Sequence, residues 1–268
     1  MALMETHYYS FSMKSNITLN ILIPTPGSDC SITDIAGNDK FDYEHGLPVV
    51  YLLHGAYGDA FSWIRYSNIE RYAQSRGIAV VMVSAGNSFY QDMHCGQNYT
   101  QLFTEELPVF VRTIFPVTKD PDKTFIAGFS MGGYGAWYLG LSHPEIFGKA
   151  ASMSGALDLA ALYDSMDPTS SIFSWDDCFG DAVKDGNHLA GSQYDLLTLY
   201  DTAVKNGYKP KLYQSIGTSD FLYSLNQKVR KEMENRKADL FYEEGPGGHD
   251  WDFWDQYIQH VLDWLLKA

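Results

Sequence analysis

Cysteine is scarce in this chain: Cys30, Cys95 and Cys178 are the only three in 268 residues. An odd number without C-x-x-C spacing argues against a disulfide framework or a thiolate zinc site and fits a reducing, cytoplasmic compartment. The Asp, Glu and His residues offer no metal-ligand spacing either, so neither a metal nor another cofactor is expected. Long apolar runs are also missing. Nothing approaches the roughly 20 residues of a membrane span, and Met1–His7 lacks the basic and apolar regions of a secretory signal. Positive charge is in deficit, with 19 Lys and Arg against 33 Asp and Glu for a net charge of −14. Such a chain is repelled by nucleic acid and by anionic membrane surfaces, which leaves a neutral or cationic small molecule as the expected partner. A homo-oligomer stays compatible with all of this. No Pro/Ser-rich linker, repeat or low-complexity tract divides the chain, so a single domain over residues 1–268 is expected.

Apolar residues make up 45% of the chain, ample for one core. Strand-like runs lie at Ile17–Ile23, Val49–Leu53, Ala79–Val83, Thr124–Ala127, Ala150–Met153, Lys211–Ile216 and Ala238–Glu243. Helical patterns fall between most of them, at Ile69–Gln74, Tyr99–Phe115, Gly133–Leu141 and Leu222–Arg236, and Trp251–Leu265 is amphipathic. Alternation of this kind predicts an α/β fold with a mostly parallel sheet covered on both faces. Pro108 interrupts the Tyr99–Phe115 pattern and predicts a kink or break there. Residues 158–195 resist the scheme, being rich in Asp, Ser, Gly and aromatics without a clean period. A stretch this long is either a short cap over a pocket, with Phe173, Trp175 and Phe179 as wall residues, or a solvated acidic insertion.

The most specific signal is Gly128-Phe-Ser130-Met-Gly132. On this chain's own Gly and Ser frequencies, a G-x-S-x-G pentapeptide arises by chance in roughly one protein in six of this length, so context must carry the reading. The context is a β-branched and aromatic run before the motif and small residues after it. That is the strand, sharp turn and helix of a nucleophile elbow, which lifts the Ser130 hydroxyl to the top of a sheet.

A nucleophilic serine needs a base, and the base needs a group to orient it. His249 sits in the glycine-rich loop after the strand-like run Ala238–Glu243, which is where such a base belongs. His260 lies within the amphipathic helical stretch, His188 in a polar irregular stretch, and His143, just before Pro144, reads as a helix stop. For the acid, Asp220 follows the run ending at Ile216, while Asp158 follows the one ending at Met153. The order serine, acid, histidine favours Asp220, since His249 then follows the next strand. An oxyanion hole requires two backbone N–H groups. Met131, next after the nucleophile, supplies one. The other is assigned to Ala56, in the turn His54-Gly-Ala-Tyr-Gly58 after the apolar strand Val49–Leu53, with His54 structuring the loop.

Taken together, these blocks resemble the esterase D / tributyrin esterase group of α/β-hydrolases, whose relatives include feruloyl esterases and S-formylglutathione hydrolases. The likeness is carried by Tyr51-Leu-Leu-His-Gly55 with Gly58 and Trp63, Glu105-Glu-Leu-Pro108 and Phe125–Tyr134. It continues through Ser154-Gly-Ala156, Ser219-Asp-Phe-Leu-Tyr223 and Gly248-His-Asp-Trp251, and so covers nearly the whole chain. It implies an α/β-hydrolase fold with nucleophile Ser130, acid Asp220, base His249 and oxyanion donors Ala56 and Met131. The implied activity is hydrolysis of short acyl esters such as tributyrin-like lipids or acetylated sugars, the alternative being feruloyl esters of plant cell walls. The formylglutathione branch is expected to carry histidine before the nucleophile. Phe129 stands there instead, which argues against that activity, and the run around Asp220 with the aromatic Trp251-Asp-Phe-Trp254 after the histidine makes the tributyrin-esterase branch the nearer resemblance.

Overall fold

A computed structural model describes residues 1–26, 41–166 and 172–267. Eight strands form one sheet: β1 (Ala2–Ser10), β2 (Ser15–Ile23), β3 (Val49–Leu53), β4 (Ala79–Val83), β5 (Thr124–Phe129), β6 (Lys149–Met153), β7 (Lys211–Gly217) and β8 (Asp239–Gly245). Their spatial order is β1-β2-β4-β3-β5-β6-β7-β8. Strands β1 and β2 pair antiparallel, β2 meets β4 antiparallel, and every later pairing is parallel. All seven sequence-predicted strands are present. The exception is β1, which the residue pattern did not mark as a strand.

The inner strands are short and apolar because both faces are covered. In β3 the alternation is visible in the packing. Val49, Tyr51 and Leu53 join one hydrophobic layer, while Val50 and Leu52 join the other. The second layer is closed by α1 (Ser62–Tyr66), α2 (Ile69–Arg76) and, from the far end of the chain, Trp251–Leu265. On the opposite face lie α3 (Leu107–Ile114), α4 (Met131–Ser142), the short helices α5 (Leu159–Ser165), α6 (Trp175–Phe179) and α7 (Asp181–Lys184), then α8 (Leu196–Lys205) and α9 (Tyr223–Asn235). The C-terminal helix over Trp251–Leu265 is α10. The break expected at Pro108 is a π-helical turn, Leu102–Glu106, directly before α3. The wider turn accommodates a ring that has no N–H to donate and would clash with a regular preceding turn. His143 caps the C-terminus of α4, as its position before Pro144 predicted.

The segment 158–195 contributes α5, α6 and α7, while residues 167–171 lie outside the described residues, as does Cys30. Among the described residues, no helix is long and apolar enough to cross a membrane.

Candidate active site

The carboxyl ends of β3, β5, β7 and β8 deliver the candidate residues to one place, the usual consequence of a parallel sheet. Ser130 occupies the turn between β5 and α4 with φ 55 and ψ −122, a backbone conformation that non-glycine residues rarely adopt. The turn is tight enough to exclude side chains beside it. A Cβ on Gly128 would stand 2.4 Å from the Gly132 carbonyl oxygen, and one on Gly132 would stand 2.5 Å from that of His54. Ser130 is anchored by its N–H, which donates to the Met153 carbonyl at 3.0 Å.

His249 Nε2 lies 2.9 Å from Ser130 Oγ, and His249 Nδ1 lies 2.9 and 3.1 Å from the two Asp220 carboxylate oxygens. The Asp220 side chain is fully buried and that of His249 is 18% exposed. A carboxylate can only accept, so Nδ1 carries the proton and Nε2 is left to accept from the serine hydroxyl. Asp220 also accepts the Leu222 N–H through Oδ1 at 2.8 Å. The two loops are zipped together. Thr218 N–H donates to Gly245 and Ser219 N–H to Gly247, each at 2.9 Å. The competing carboxylate, Asp158, instead caps α5 by accepting the Ala161 N–H at 3.1 Å and pairs with Lys228.

Ala56, Ser130 and Met131 line the same cavity. Met131 is the first residue of α4, where a backbone N–H has no partner within the helix. The peptide that carries the Ala56 N–H is held from behind. Its Gly55 carbonyl accepts from His54 Nδ1 at 2.7 Å and from Gly58 N–H at 3.2 Å. His54 Nε2 in turn accepts the Ala85 N–H at 2.8 Å. Burial holds the His54 pKa below the ordinary imidazole value, which favours the neutral ring that this donor–acceptor pattern requires.

The cavity has a volume of about 670 Å³ and two aromatic walls. One is built on α1, β5 and α10: Phe129 stacks on Trp254 at 4.2 Å between ring centres and meets Trp251 at 4.7 Å, and Tyr66 adjoins Trp251. The other comprises Phe89, Leu162, Met166, Ile172 and Phe173. Phe173 therefore lines the cavity, whereas Trp175 and Phe179 do not. They are 4% and 1% exposed and pack behind Phe89, each with ring centres 5.4 Å from it. Residue chemistry alone cannot tell an inward-facing aromatic from a cavity-facing one. Phe89, Phe129, Trp251, Trp254 and the exposed Phe221, 4.6 Å from the His249 ring, were not identified as cavity residues from the sequence. Only the adjacency of Trp251 and Trp254 to His249 hinted at them.

A family model described as "Putative esterase" matches residues 36–265. The chain is 32% identical to an acetyl esterase of Caldicellulosiruptor saccharolyticus, over 100% of this chain and 99% of the relative. Among solved structures, the fluorophosphonate-binding serine hydrolase FphF of Staphylococcus aureus superposes with a TM-score of 0.85 at 30% identity, covering 100% of this chain and 99% of the other. An S-formylglutathione hydrolase from the same organism gives a TM-score of 0.82 at 30% identity, with 99% of each chain covered. The sheet, the site and these relatives lead to one assignment: the chain belongs to this esterase family, with the α/β-hydrolase fold, and is a serine hydrolase acting on carboxylic ester bonds.

Proposed function

We propose that Ser130, His249 and Asp220 form a catalytic triad that hydrolyses short-chain acyl esters through an acyl-enzyme. The observation that carries this reading is the continuous contact from Ser130 Oγ through the His249 ring to a fully buried carboxylate. His249 Nε2 takes the proton as Ser130 Oγ attacks the ester carbonyl carbon. Asp220 holds the ring in the required tautomer and stabilises the imidazolium that forms. The oxygen of the tetrahedral intermediate receives the Ala56 and Met131 N–H groups, and loss of one such donor costs about 10²–10³ in turnover. The alcohol leaves with the proton from His249. Water, deprotonated by the same nitrogen, then attacks the acyl carbon and frees the acid.

Short acyl groups are favoured by the full-length likeness to an acetyl esterase. The segment 158–195 acts as a cap in this reading, since Leu162, Met166 and Phe173 from it form part of the cavity wall. A feruloyl or cinnamoyl ester is the second reading, favoured by the volume of the cavity and by the aromatic Phe129, Trp251 and Trp254 that line it.

A p-nitrophenyl ester series from acetate to octanoate, run beside methyl ferulate, tests both. Preference for acetate to butyrate with little ferulate turnover is expected; strong ferulate turnover with a weak series would reverse the choice. Ser130→Ala is expected to lower kcat by at least about 10⁴-fold while retaining the folded state by circular dichroism. Full activity in that variant would end the mechanism.

A further inference from the structure

Residues 85–90, which follow β4, touch neither Ser130 nor its two partners through any hydrogen bond, yet they reach both sides of the cavity. Phe89 and Tyr90 are consecutive, completely buried, and both in the left-handed region, with φ 51 and 62. Bulky residues take that conformation only where their surroundings impose it. The result is that the two rings serve different neighbours. Phe89 lies against Phe173 at 4.4 Å between ring centres and against Phe179 at 5.4 Å, on the cap side. Tyr90 turns to the other side and donates its hydroxyl to the His54 carbonyl at 2.8 Å.

The same short segment holds the His54–Tyr57 loop at two more points. Ala85 N–H donates to His54 Nε2, and Asn87 Oδ1 accepts the Tyr57 N–H at 2.9 Å. Tyr57 itself has φ 62, so the loop it belongs to is strained as well. Tyr90 also packs on the nucleophile helix, because a Cβ added at Gly135 would fall 2.3 Å from its ring. One side chain thus stands between the helix that begins with Met131 and the loop that presents Ala56.

We infer that the 85–90 segment is a strut that sets the spacing of the two oxyanion donors and links it to the packing of the cap, with Tyr90 as the positioning residue. This rests on the assignment of Ala56 and Met131 as those donors. A hydrogen bond from Tyr90 fixes the His54–Gly55 peptide, the His54 ring fixes the next one, and the Ala56 N–H is carried by that second peptide. Pressure on Phe89 from Phe179 is transmitted to Tyr90 through one rigid pair of residues.

The test is Tyr90→Phe, which keeps the ring and removes only the hydroxyl. With p-nitrophenyl butyrate, kcat is expected to fall about 3- to 10-fold, the scale of one lost neutral hydrogen bond, with KM within about 2-fold. Affinity for butylboronic acid, which forms a tetrahedral adduct on the serine, should fall by a similar factor. Unchanged kcat overturns the proposal, and so does a lower kcat with unaltered boronic acid affinity. If Tyr90→Phe does not fold, the Asn87 pair decides. Asn87→Asp keeps the acceptor for Tyr57 and should retain kcat, whereas Asn87→Ala should lose it; equal behaviour of the two overturns the strut. For the link to the cap, Phe179→Leu, away from the cavity, should lower kcat and combine less than multiplicatively with Tyr90→Phe. Strict multiplicativity would remove that link. Retained hydrolysis in Ser130→Ala would instead show that the underlying site assignment had failed.

Discussion

The corner after β6 and the corner after β7 start alike. Each follows a buried strand of the same parallel sheet, each carries an aspartate a few residues on, and each leads into a helix. Their outcomes differ. At the β6 corner, Asp158 satisfies the first turn of α5 and meets Lys228, whose side chain is 64% exposed. At the β7 corner, Asp220 is sealed from solvent and shared between the Leu222 N–H and His249 Nδ1, which meets both of its oxygens. A carboxylate at a strand end is therefore not enough to reach the histidine. What distinguishes Asp220 is the next strand: β8 runs parallel beside β7, so its loop brings His249 alongside, and backbone bonds from Thr218 and Ser219 lock the two loops in register.

The comparison can be broken most directly at the acid itself. Asp220→Asn should reduce kcat by about 10⁴-fold, because an amide facing Nδ1 favours the wrong tautomer. If Asp158→Asn produced that loss and Asp220→Asn did not, the two corners would have exchanged roles. The locking of the loops is the next point of attack. A Cβ at Gly217 would stand 2.4 Å from the Gly247 carbonyl oxygen, so Gly217→Ala must part the Asp220 and His249 loops. A displacement on the order of 1 Å costs about 10²-fold in rate, which steady-state kinetics on a short ester would register, and wild-type kcat would count against the locking. At the other corner, Asp158→Ala should leave kcat within about 2-fold but cost ~1 kcal/mol of stability through the lost cap, read from urea unfolding. A large kcat loss there would give the β6 corner a share in the chemistry. The smallest effect is expected for Lys228→Met, which removes the exposed half of the Asp158 ion pair. Such pairs contribute less than about 1 kcal/mol, so unfolding midpoints of variant and parent should nearly coincide, most closely at high salt.

Much of the frame was legible in the residues because burial on two faces leaves an unmistakable pattern. Val49–Leu53 and Ala79–Val83 are continuous apolar runs, and both are inner strands with every residue buried. Strand β1 escaped because it is an edge, with residues 2–9 alternating between half-buried and exposed positions and only Ser10 buried, so its side chains carry a weak period. The meeting of the candidate residues was legible for a different reason. The elbow at Ser130 needs glycines on both sides whatever surrounds it, and a glycine-rich loop bearing His249 after the last strand has few other uses. The cavity walls were not legible. Trp175 and Phe179 share a segment with Phe173, yet only Phe173 faces the cavity, and short helices without a sustained period give no means of telling which way each ring turns.

Sequence by itself determined the order of the inner strands and of the longer helices between most of them, the strained turn that carries Ser130, and the placing of Asp220 and His249 at successive strand ends, since each follows from local sterics and from periodic burial. Tertiary structure brought Asp220, which strand order already favoured, against the histidine, and alone decided which aromatics line the cavity and how the Phe89–Tyr90 pair joins the cap to the loop of Ala56. Those outcomes depend on contacts between residues far apart in the chain, such as His249 with Ser130 or Tyr90 with His54, and no local pattern of side chains encodes the direction in which a buried ring or carboxylate finally points.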